Sequence, residues 1–106
     1  MPDVRRVLVR YRVKPGHVER NEALVRAVYR ELEQARPAGL RYATFKLDDG
    51  RTFVHLAVTE TEDGRSPLPE FAAFAEFQHG IRERCEEGPA VSEIEEIGSF
   101  GWVGES

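Results

Sequence analysis

Residues 40–58 read LRYATFKLDDGRTFVHLAV and predict a β-hairpin. Asp49-Gly50 at its centre is a strong two-residue turn signal, because glycine readily takes the positive φ that such turns require. A turn there pairs Thr44 with His55 and Phe45 with Val54 across the two strands. One face of the hairpin is then almost wholly apolar and consists of Ala43, Phe45, Leu47, Val54, Leu56 and Val58. A one-residue slip would destroy this separation, so we expect this register, with the apolar face under the helices.

Four further elements flank the hairpin. Val4–Val13 alternates apolar and polar residues, which predicts a strand that buries one face. From His17 to Arg36 apolar residues recur three or four apart, which predicts a helix of about five turns. A second helix is expected from about Leu68 to Glu87, with Gly88-Pro89 ending it. The last element is then a strand over Val91–Val103.

The order of these elements is β-α-β-β-α-β. Short connections and right-handed crossovers favour a ferredoxin-like α+β fold, a four-stranded antiparallel sheet with two helices on one face. In that topology the last strand lies beside the first. Opposite charges on the two strands support this placement: Arg6, Arg10 and Arg12 on one, and Glu93, Glu95 and Glu96 on the other.

Composition limits the classes of function. The chain has 106 residues and a formal net charge of −4. This length predicts a single domain over residues 1–106. The acidic balance argues against nucleic acid or an anionic membrane as a partner. Cys85 is the only cysteine and the three histidines lie on separate elements, so we expect no disulfide and no metal. The sequence has no Gly-rich phosphate loop or dinucleotide-binding motif, so we also expect no cofactor. The short apolar runs predict a cytoplasmic protein.

Three segments carry a resemblance to a known family. They are the strand end Arg12–Gly16, the strand entry Ala38–Tyr42 and the segment Phe74–Phe77. Together with the element order, they resemble the antibiotic biosynthesis monooxygenase-like domains of the dimeric α+β barrel superfamily. The resemblance implies a homodimer whose sheets pack face to face, forming a dimeric α+β barrel. It also implies a pocket in each subunit between the sheet and the helices.

The residues themselves also point to self-association. If both helices cover the apolar face of the hairpin, the other face stays in water. That mixed face carries Leu40, Tyr42, Phe53 and His55. Because a contiguous apolar patch usually marks an interface, we expect the chain to dimerise through it.

His55 and Tyr42 are the candidate catalytic residues. In the predicted register His55 opposes Thr44 and lies diagonal to Tyr42, so a titratable imidazole is near a phenol. The resemblance implies a cofactor-independent monooxygenase, in which a phenol or enol loses a proton and the anion reacts with dioxygen. The pair would act as general base or hydrogen-bond donor. The alternative is a structural histidine, hydrogen-bonded inside the barrel.

The sequence departs from the pattern of the family that it resembles at several positions. Glu60-Thr61-Glu62 lacks the tryptophan that many members carry after the third strand, and Phe71–Phe74 lacks a histidine. Haem-degrading relatives combine a helix histidine with an asparagine and a tryptophan. The spacing of His79, Asn21 and Trp102 does not match that set.

Two hypotheses about function therefore stand beside each other. In the first, the chain is a cofactor-independent monooxygenase-like protein that acts on or binds a small hydrophobic, aromatic molecule. In the second, it is a non-catalytic ligand-binding or stress-associated barrel, because the fold alone does not decide between the two. An isomerase is a third option on this architecture.

Overall fold

The computed structural model describes residues 3–101, and within them the chain forms one four-stranded antiparallel sheet with helices on one face. The strands are β1 (Asp3–Val13), β2 (Leu40–Lys46), β3 (Thr52–Thr61) and β4 (Cys85–Glu93). The helices are α1 (Val18–Ala35), a 3₁₀ turn (Leu68–Glu70), α2 (Ala72–Gln78) and α3 (Ile81–Arg84). The strand order β2-β3-β1-β4 confirms the ferredoxin-like arrangement.

The hairpin of β2 and β3 has the predicted register. Thr44 lies opposite His55 and Phe45 opposite Val54. The turn is fixed by Asp49, whose carboxylate accepts hydrogen bonds from the backbone N–H of Arg51 and of the residue after it. These bonds hold the carboxyl in its charged form, so the pKa of Asp49 falls to about 2, mainly through its bond to the Thr52 hydroxyl.

The predicted facing of the hairpin is wrong. The mixed face, with Tyr42, Phe53 and His55, packs against the helices, whereas Phe45 on the apolar face is 49% exposed. The cause is the register between β1 and β3, which sets Val9 opposite His55. Directly opposite residues share a face of an antiparallel pair, so the buried face of β1 brings the mixed face under the helices. The mixed face is therefore covered within the chain, and it is not the surface for dimerisation that the sequence predicted.

β4 lies beside β1, as predicted. Ion pairs join β1 to β4 and to the segment that follows it. Arg12 Nη1 lies 2.9 Å from Glu87 Oε1, and Arg6 Nε lies 4.0 Å from Glu96 Oε1. All four side chains are partly or largely exposed. Such pairs stabilise a fold by about 0–1 kcal/mol each, so they accompany the strand pairing more than they cause it.

The second helix is shorter than predicted. Gly80 takes a left-handed backbone conformation (φ 75°), which a continuous α-helix does not allow. The helix therefore stops at Gln78, and the single turn of α3 follows. Gly80 falls inside the range predicted for the second helix, but it follows the end of α2.

The last strand begins earlier than predicted. Cys85–Glu87 was expected to be helical but forms the start of β4, where Cys85 pairs with Val13. Gly88-Pro89 lies within the strand, and register shifts near Arg12 accommodate it. The predicted strand Val91–Val103 is observed only as far as Glu93. Residues 94–101 follow outside any strand, and positions 102 and 103 lie outside the described residues.

The core lies between the sheet and the helices. Its buried members are Tyr11, Val13, Leu24, Val25, Val28, Phe53, Leu68, Phe77 and Cys85. α1 supplies the stripe that its periodicity predicted. Among the described residues, no helix is long and apolar enough to cross a membrane. Further apolar surface, including Phe45 and Ile94, is on the opposite, open face of the sheet.

Candidate functional site

A cavity of about 300 Å³ lies between the sheet and the short helices α2 and α3. Most of its wall is apolar and includes Val9, Leu68, Phe74, Phe77 and Ile81. Its main polar groups come from the sheet, where β1, β2 and β3 contribute Tyr11, Tyr42 and His55. A cavity of this kind, apolar with a few convergent polar groups, is typical of sites for small molecules.

His55 is at the centre of the polar wall and is 4% exposed. Its Nδ1 lies 2.7 Å from the Tyr42 hydroxyl, and its Nε2 lies 2.8 Å from the Tyr11 hydroxyl. The three side chains are brought together by the sheet, because Tyr42 and Tyr11 come from the strands on either side of β3. Both nitrogens of the ring are therefore engaged by phenols.

The hydrogen bonds continue from Tyr11 into the helices. Asn21 on α1 is completely buried, and its Nδ2 donates to the Tyr11 hydroxyl at 2.9 Å. Its Oδ1 accepts from Arg84 Nε at 3.2 Å. Arg84 also donates to the backbone carbonyls of Phe77 (2.6 Å) and His79 (3.0 Å). The guanidinium thereby satisfies carbonyls at the end of α2, where a helix leaves its last C=O groups without internal partners.

A second set of hydrogen bonds links His55 through Thr44 on β2 to Tyr29 on α1. The Thr44 hydroxyl lies 3.2 Å from His55 Nδ1 and 2.7 Å from the Tyr29 hydroxyl. Tyr29 stacks on Tyr42 with ring centroids 5.4 Å apart. Within residues 3–101, no buried side-chain nitrogen or oxygen lacks a hydrogen-bond partner. The sequence analysis expected the face with Tyr42 and His55 to be in water, but these polar side chains are buried and hydrogen-bonded to each other.

Burial sets the protonation of these groups. It lowers the pKa of His55 to about 4, so the imidazole is neutral at pH 7. It raises the pKa of Tyr42, with further contributions from the neighbouring phenols, and it likewise raises the pKa of Tyr11. The site at neutral pH therefore consists of a neutral imidazole between two protonated phenols, with the charged Arg84 two hydrogen bonds away from Tyr11.

The structure brings the two predicted site residues into direct contact, and their catalytic role stays a prediction. The other single residues considered lie elsewhere. His79 is exposed at the end of α2, and His17 is exposed before α1. Cys85 is buried, and burial raises the pKa of its thiol, which disfavours the thiolate. Trp102 lies outside the described residues.

The sequence analysis missed Tyr11, which is hydrogen-bonded to His55, and Asn21 and Arg84, which are linked to His55 through Tyr11. Asn21 offered one signal, since it is the only asparagine and lies on the apolar stripe of a predicted helix. A buried amide of that kind needs partners. Tyr11 offered another, because it interrupts an aliphatic face with a phenol. Arg84 gave none, since it lies in a run of exposed charged residues.

Metal ligation has no support in this region. Among residues 3–101, no group of three histidine, cysteine, aspartate or glutamate side chains is placed to hold a metal ion. The polar wall instead presents hydroxyls and an imidazole. Its chemistry is the donation and acceptance of hydrogen bonds.

Several solved structures have the same fold as this chain. A protein from Nitrosomonas europaea named as an antibiotic biosynthesis monooxygenase aligns with a TM-score of 0.74 and 16% identity, over 95% of this chain and 97% of that one. Rv0793 from Mycobacterium tuberculosis aligns with a TM-score of 0.73 and 16% identity, over 92% and 98%. A variant of SnoaB, a cofactor-independent oxygenase from Streptomyces nogalater, aligns with a TM-score of 0.68 and 16% identity, over 94% and 99%.

The chain thus has the fold of the antibiotic biosynthesis monooxygenase-like domains, as its sequence resemblance implied. At these identities the likeness is one of fold, and activity has to be argued from the site. No protein-family model matches the chain, and no curated protein matches its sequence.

Proposed function

We propose that the chain is a cofactor-independent oxygenase for a small, hydrophobic aromatic molecule. The observation that carries this proposal is the contact between Tyr42 and His55, 2.7 Å apart on the wall of a mostly apolar cavity. The apolar wall suits a flat hydrocarbon skeleton and excludes water, and the phenol is placed to hold one oxygen of the ligand. The fold shared with SnoaB, itself a cofactor-independent oxygenase, supports the same reading.

The chemistry needs only substrate and dioxygen. An aromatic ketone with an acidic methylene group loses a proton to hydroxide from the solvent as it enters the cavity and becomes an enolate. The enolate transfers its electrons to dioxygen, a carbon–oxygen bond forms, and protonation gives a hydroperoxide. Loss of water from the hydroperoxide leaves a second carbonyl, so that the sum is CH₂ + O₂ → C=O + H₂O. The protein has to favour the anion, since only the electron-rich anion reacts with dioxygen.

Tyr42 and His55 suit this task through hydrogen bonding. A hydroxyl held in a water-poor cavity stabilises negative charge that develops on the ligand oxygen. His55, with its pKa of about 4, is a weak base at pH 7 and acts here by positioning Tyr42. The further walls of the cavity, including Phe74 and Phe77, hold the ring system in place.

One observation favours a second candidate, a ligand-binding protein without chemistry. The buried polar groups of the described residues are all satisfied within the chain, and such a network can serve structure alone. In that case the cavity holds an aromatic molecule by the same apolar walls, and Tyr42 fixes its orientation.

The test is oxygen uptake with 2-indanone, a small aromatic ketone with an acidic methylene group. We expect uptake above the uncatalysed rate, with the label of ¹⁸O₂ entering the diketone product. The double variant Tyr42→Phe with His55→Gln should lose this activity and keep the circular dichroism of the folded chain. His79→Gln, which changes an exposed histidine, is the matched control and should retain it.

The outcomes separate the two candidates. Uptake in the double variant equal to that of the unaltered chain would refute the proposed roles of Tyr42 and His55. Binding of 2-indanone without uptake in any form of the protein would refute the oxygenase and support the ligand-binding protein.

We also propose that the chain forms a homodimer through the open face of its sheet. This is the face of Ala43, Phe45, Leu56 and Val58, opposite to the one that the sequence analysis chose. Beyond β4 the apolar surface continues, since Ile97 and Phe100 among others are exposed. Contiguous apolar patches on soluble chains usually mark interfaces.

Charge supports a second copy of the same chain as the occupant of the open face. Arg6 and Arg41 lie at its border together with Glu96. In a twofold dimer the same patch meets itself, so a patch with both signs can be complementary to its own copy.

A further inference from the structure

We infer that Asn21 and Arg84 are positioning residues that hold His55 in the tautomer with its proton on Nδ1, so that Tyr42 offers its own hydroxyl proton to the cavity. The cavity then selects a ligand with an acceptor at that point, a carbonyl or an anionic oxygen, over one with a hydroxyl. This ligand class rests on the proposed function, because it assumes that the cavity holds a ligand. The tautomer does not depend on that assumption.

The orientation starts at Arg84. A guanidinium donates hydrogen bonds and accepts none, and its Nε points at the side-chain amide of Asn21 at 3.2 Å. The remaining contacts of Arg84, to the carbonyls of Phe77 and His79, fix the plane of the guanidinium. Asn21 must therefore present its oxygen to Arg84, which removes the usual ambiguity between amide oxygen and nitrogen.

Asn21 passes this orientation to Tyr11. With its oxygen on Arg84, the amide presents its NH₂ group to the Tyr11 hydroxyl at 2.9 Å, and that hydroxyl must accept. Tyr11 is 1% exposed, and within residues 3–101 its hydroxyl has two hydrogen-bond partners, Asn21 and His55. Its proton can only be donated to His55 Nε2, because a buried hydroxyl proton without an acceptor costs free energy.

His55 then has its proton on the other nitrogen. The ring is neutral, so a lone pair on Nε2 requires the proton on Nδ1. Nδ1–H donates to the Tyr42 hydroxyl at 2.7 Å. The Tyr42 oxygen accepts this hydrogen bond, so the hydroxyl proton of Tyr42 is not donated to His55.

The second set of hydrogen bonds acts in the same direction. Tyr29 can donate to the Thr44 hydroxyl at 2.7 Å, and the Thr44 oxygen lies 3.2 Å from His55 Nδ1, where it can accept from the Nδ1–H group beside Tyr42. Tyr42 lies on the cavity wall. A carbonyl or anionic oxygen of the ligand accepts the Tyr42 proton with nothing left unpaired, whereas a ligand hydroxyl can accept it only with its own proton left without an acceptor on Tyr42.

The first experiment measures the tautomer directly in the full chain. In protein labelled with ¹⁵N-histidine, a long-range ¹H–¹⁵N spectrum distinguishes a protonated ring nitrogen from one with a lone pair. His55→Gln identifies the signals of His55 among the three histidines. We expect the proton on Nδ1. A proton on Nε2 in the unaltered chain would overturn the inference, and this measurement needs no variant to fold.

Asn21→Asp reverses the expected result with almost no change of shape. A carboxylate accepts from Arg84 and also from the Tyr11 hydroxyl, so Tyr11 must now accept from His55. The proton of His55 is expected to move to Nε2. Gln34→Glu makes the same chemical change at an exposed position of α1 and should leave the tautomer unchanged. A folded Asn21→Asp chain that keeps the proton on Nδ1 would refute the positioning role of Asn21.

Arg84→Gln is the second variant, in case the buried carboxylate prevents folding. Glutamine offers a donor and an acceptor, so Asn21 is free to turn over, and both tautomers of His55 should be populated. A folded Arg84→Gln chain with a single Nδ1–H tautomer would overturn the role of Arg84.

Binding of two indane derivatives tests the ligand class. 2-Indanone presents a carbonyl, and 5-indanol presents a hydroxyl on the same bicyclic skeleton. By isothermal calorimetry we expect the unaltered chain to bind the ketone about tenfold more tightly, as one additional hydrogen bond provides. Asn21→Asp should reverse this preference. Equal affinities, or a preference for the phenol, would overturn the ligand class.

The two proposals fail in different ways. If neither indane derivative binds, the ligand class and the proposed function both lose their support, while the tautomer measurement still decides the roles of Asn21 and Arg84. If 2-indanone is oxygenated but His55 is protonated on Nε2, the proposed function stands and the positioning chain is refuted.

Discussion

His55 shows how one buried side chain couples stability to pH. Its pKa is about 4 in the folded chain, against about 6.5 for an unfolded histidine. Between these two values the unfolded chain binds more protons, so the free energy of unfolding rises with pH. Lowering the pH from about 7.5 to about 5 is expected to cost on the order of 2 kcal/mol through this residue. Urea unfolding across that range measures it.

His55→Gln isolates this contribution. The variant should lose the part of the pH dependence that His55 provides, whatever its stability at neutral pH. His17→Gln removes an exposed histidine and should keep the pH dependence of the unaltered chain. If the folded His55→Gln chain has the same dependence between pH 7.5 and 5 as the unaltered chain, burial of His55 is not its source.

At the scale of elements, the sequence correctly predicted the features that depend on residues close together in the chain. Asp49-Gly50 sets the turn, the turn sets the register of β2 on β3, and that register places Tyr42 near His55. The side of the hairpin that meets the helices depends instead on β1, whose pairing sets Val9 opposite His55. Alternation within the hairpin carries no information on that pairing, so the more apolar face was the natural choice and was wrong.

The same limit applies to the candidate site. Asn21 and Arg84 are 63 residues apart and meet only because α1 and the end of α3 lie on the same side of the sheet. No local spacing relates them. The boundary between α3 and β4 was missed for a related reason: pairing of Cys85 with Val13 outweighs a helical pattern that would otherwise continue.

The connection between α1 and β2 gives a prediction at this scale. Gly39 and Gly50 have nearly equal φ values, 77° and 74°, so an added Cβ costs similar backbone strain at both. At Gly39 the Cβ would also lie 2.5 Å from the carbonyl oxygen of Glu60, whereas at Gly50 it meets nothing within 4 Å.

We therefore expect Gly50→Ala to lower the free energy of unfolding by about 1 kcal/mol. Gly39→Ala should lower it by about 1–3 kcal/mol more, since the connection must shift away from the end of β3. Urea unfolding of the two variants compares them. Equal losses would mean that the connection moves freely and that the close approach of Gly39 to Glu60 does not constrain the fold.

At the scale of the whole molecule, the sheet separates two apolar regions. One face, with the mixed residues of the hairpin, closes on the helices and forms both core and cavity. The other carries Phe45 at 49% exposure and continues to Phe100 at 99%. A second copy on the open face would leave the cavity, on the opposite side, accessible to ligand. In the proposed dimer, assembly and ligand binding would use different faces of one sheet.

Substitution on the open face tests the dimer without touching the cavity. Phe45→Lys places a charge in the middle of the proposed interface, where it would be buried without a partner, and should convert the dimer to a monomer in sedimentation equilibrium. Ala75→Lys adds the same charge at an exposed position of α2 and should leave the dimer intact. A dimer that survives Phe45→Lys uses another surface, and a monomeric unaltered chain at all concentrations excludes the homodimer. Because the cavity lies behind the sheet, the monomeric variant should still bind 2-indanone, which separates loss of assembly from loss of the site.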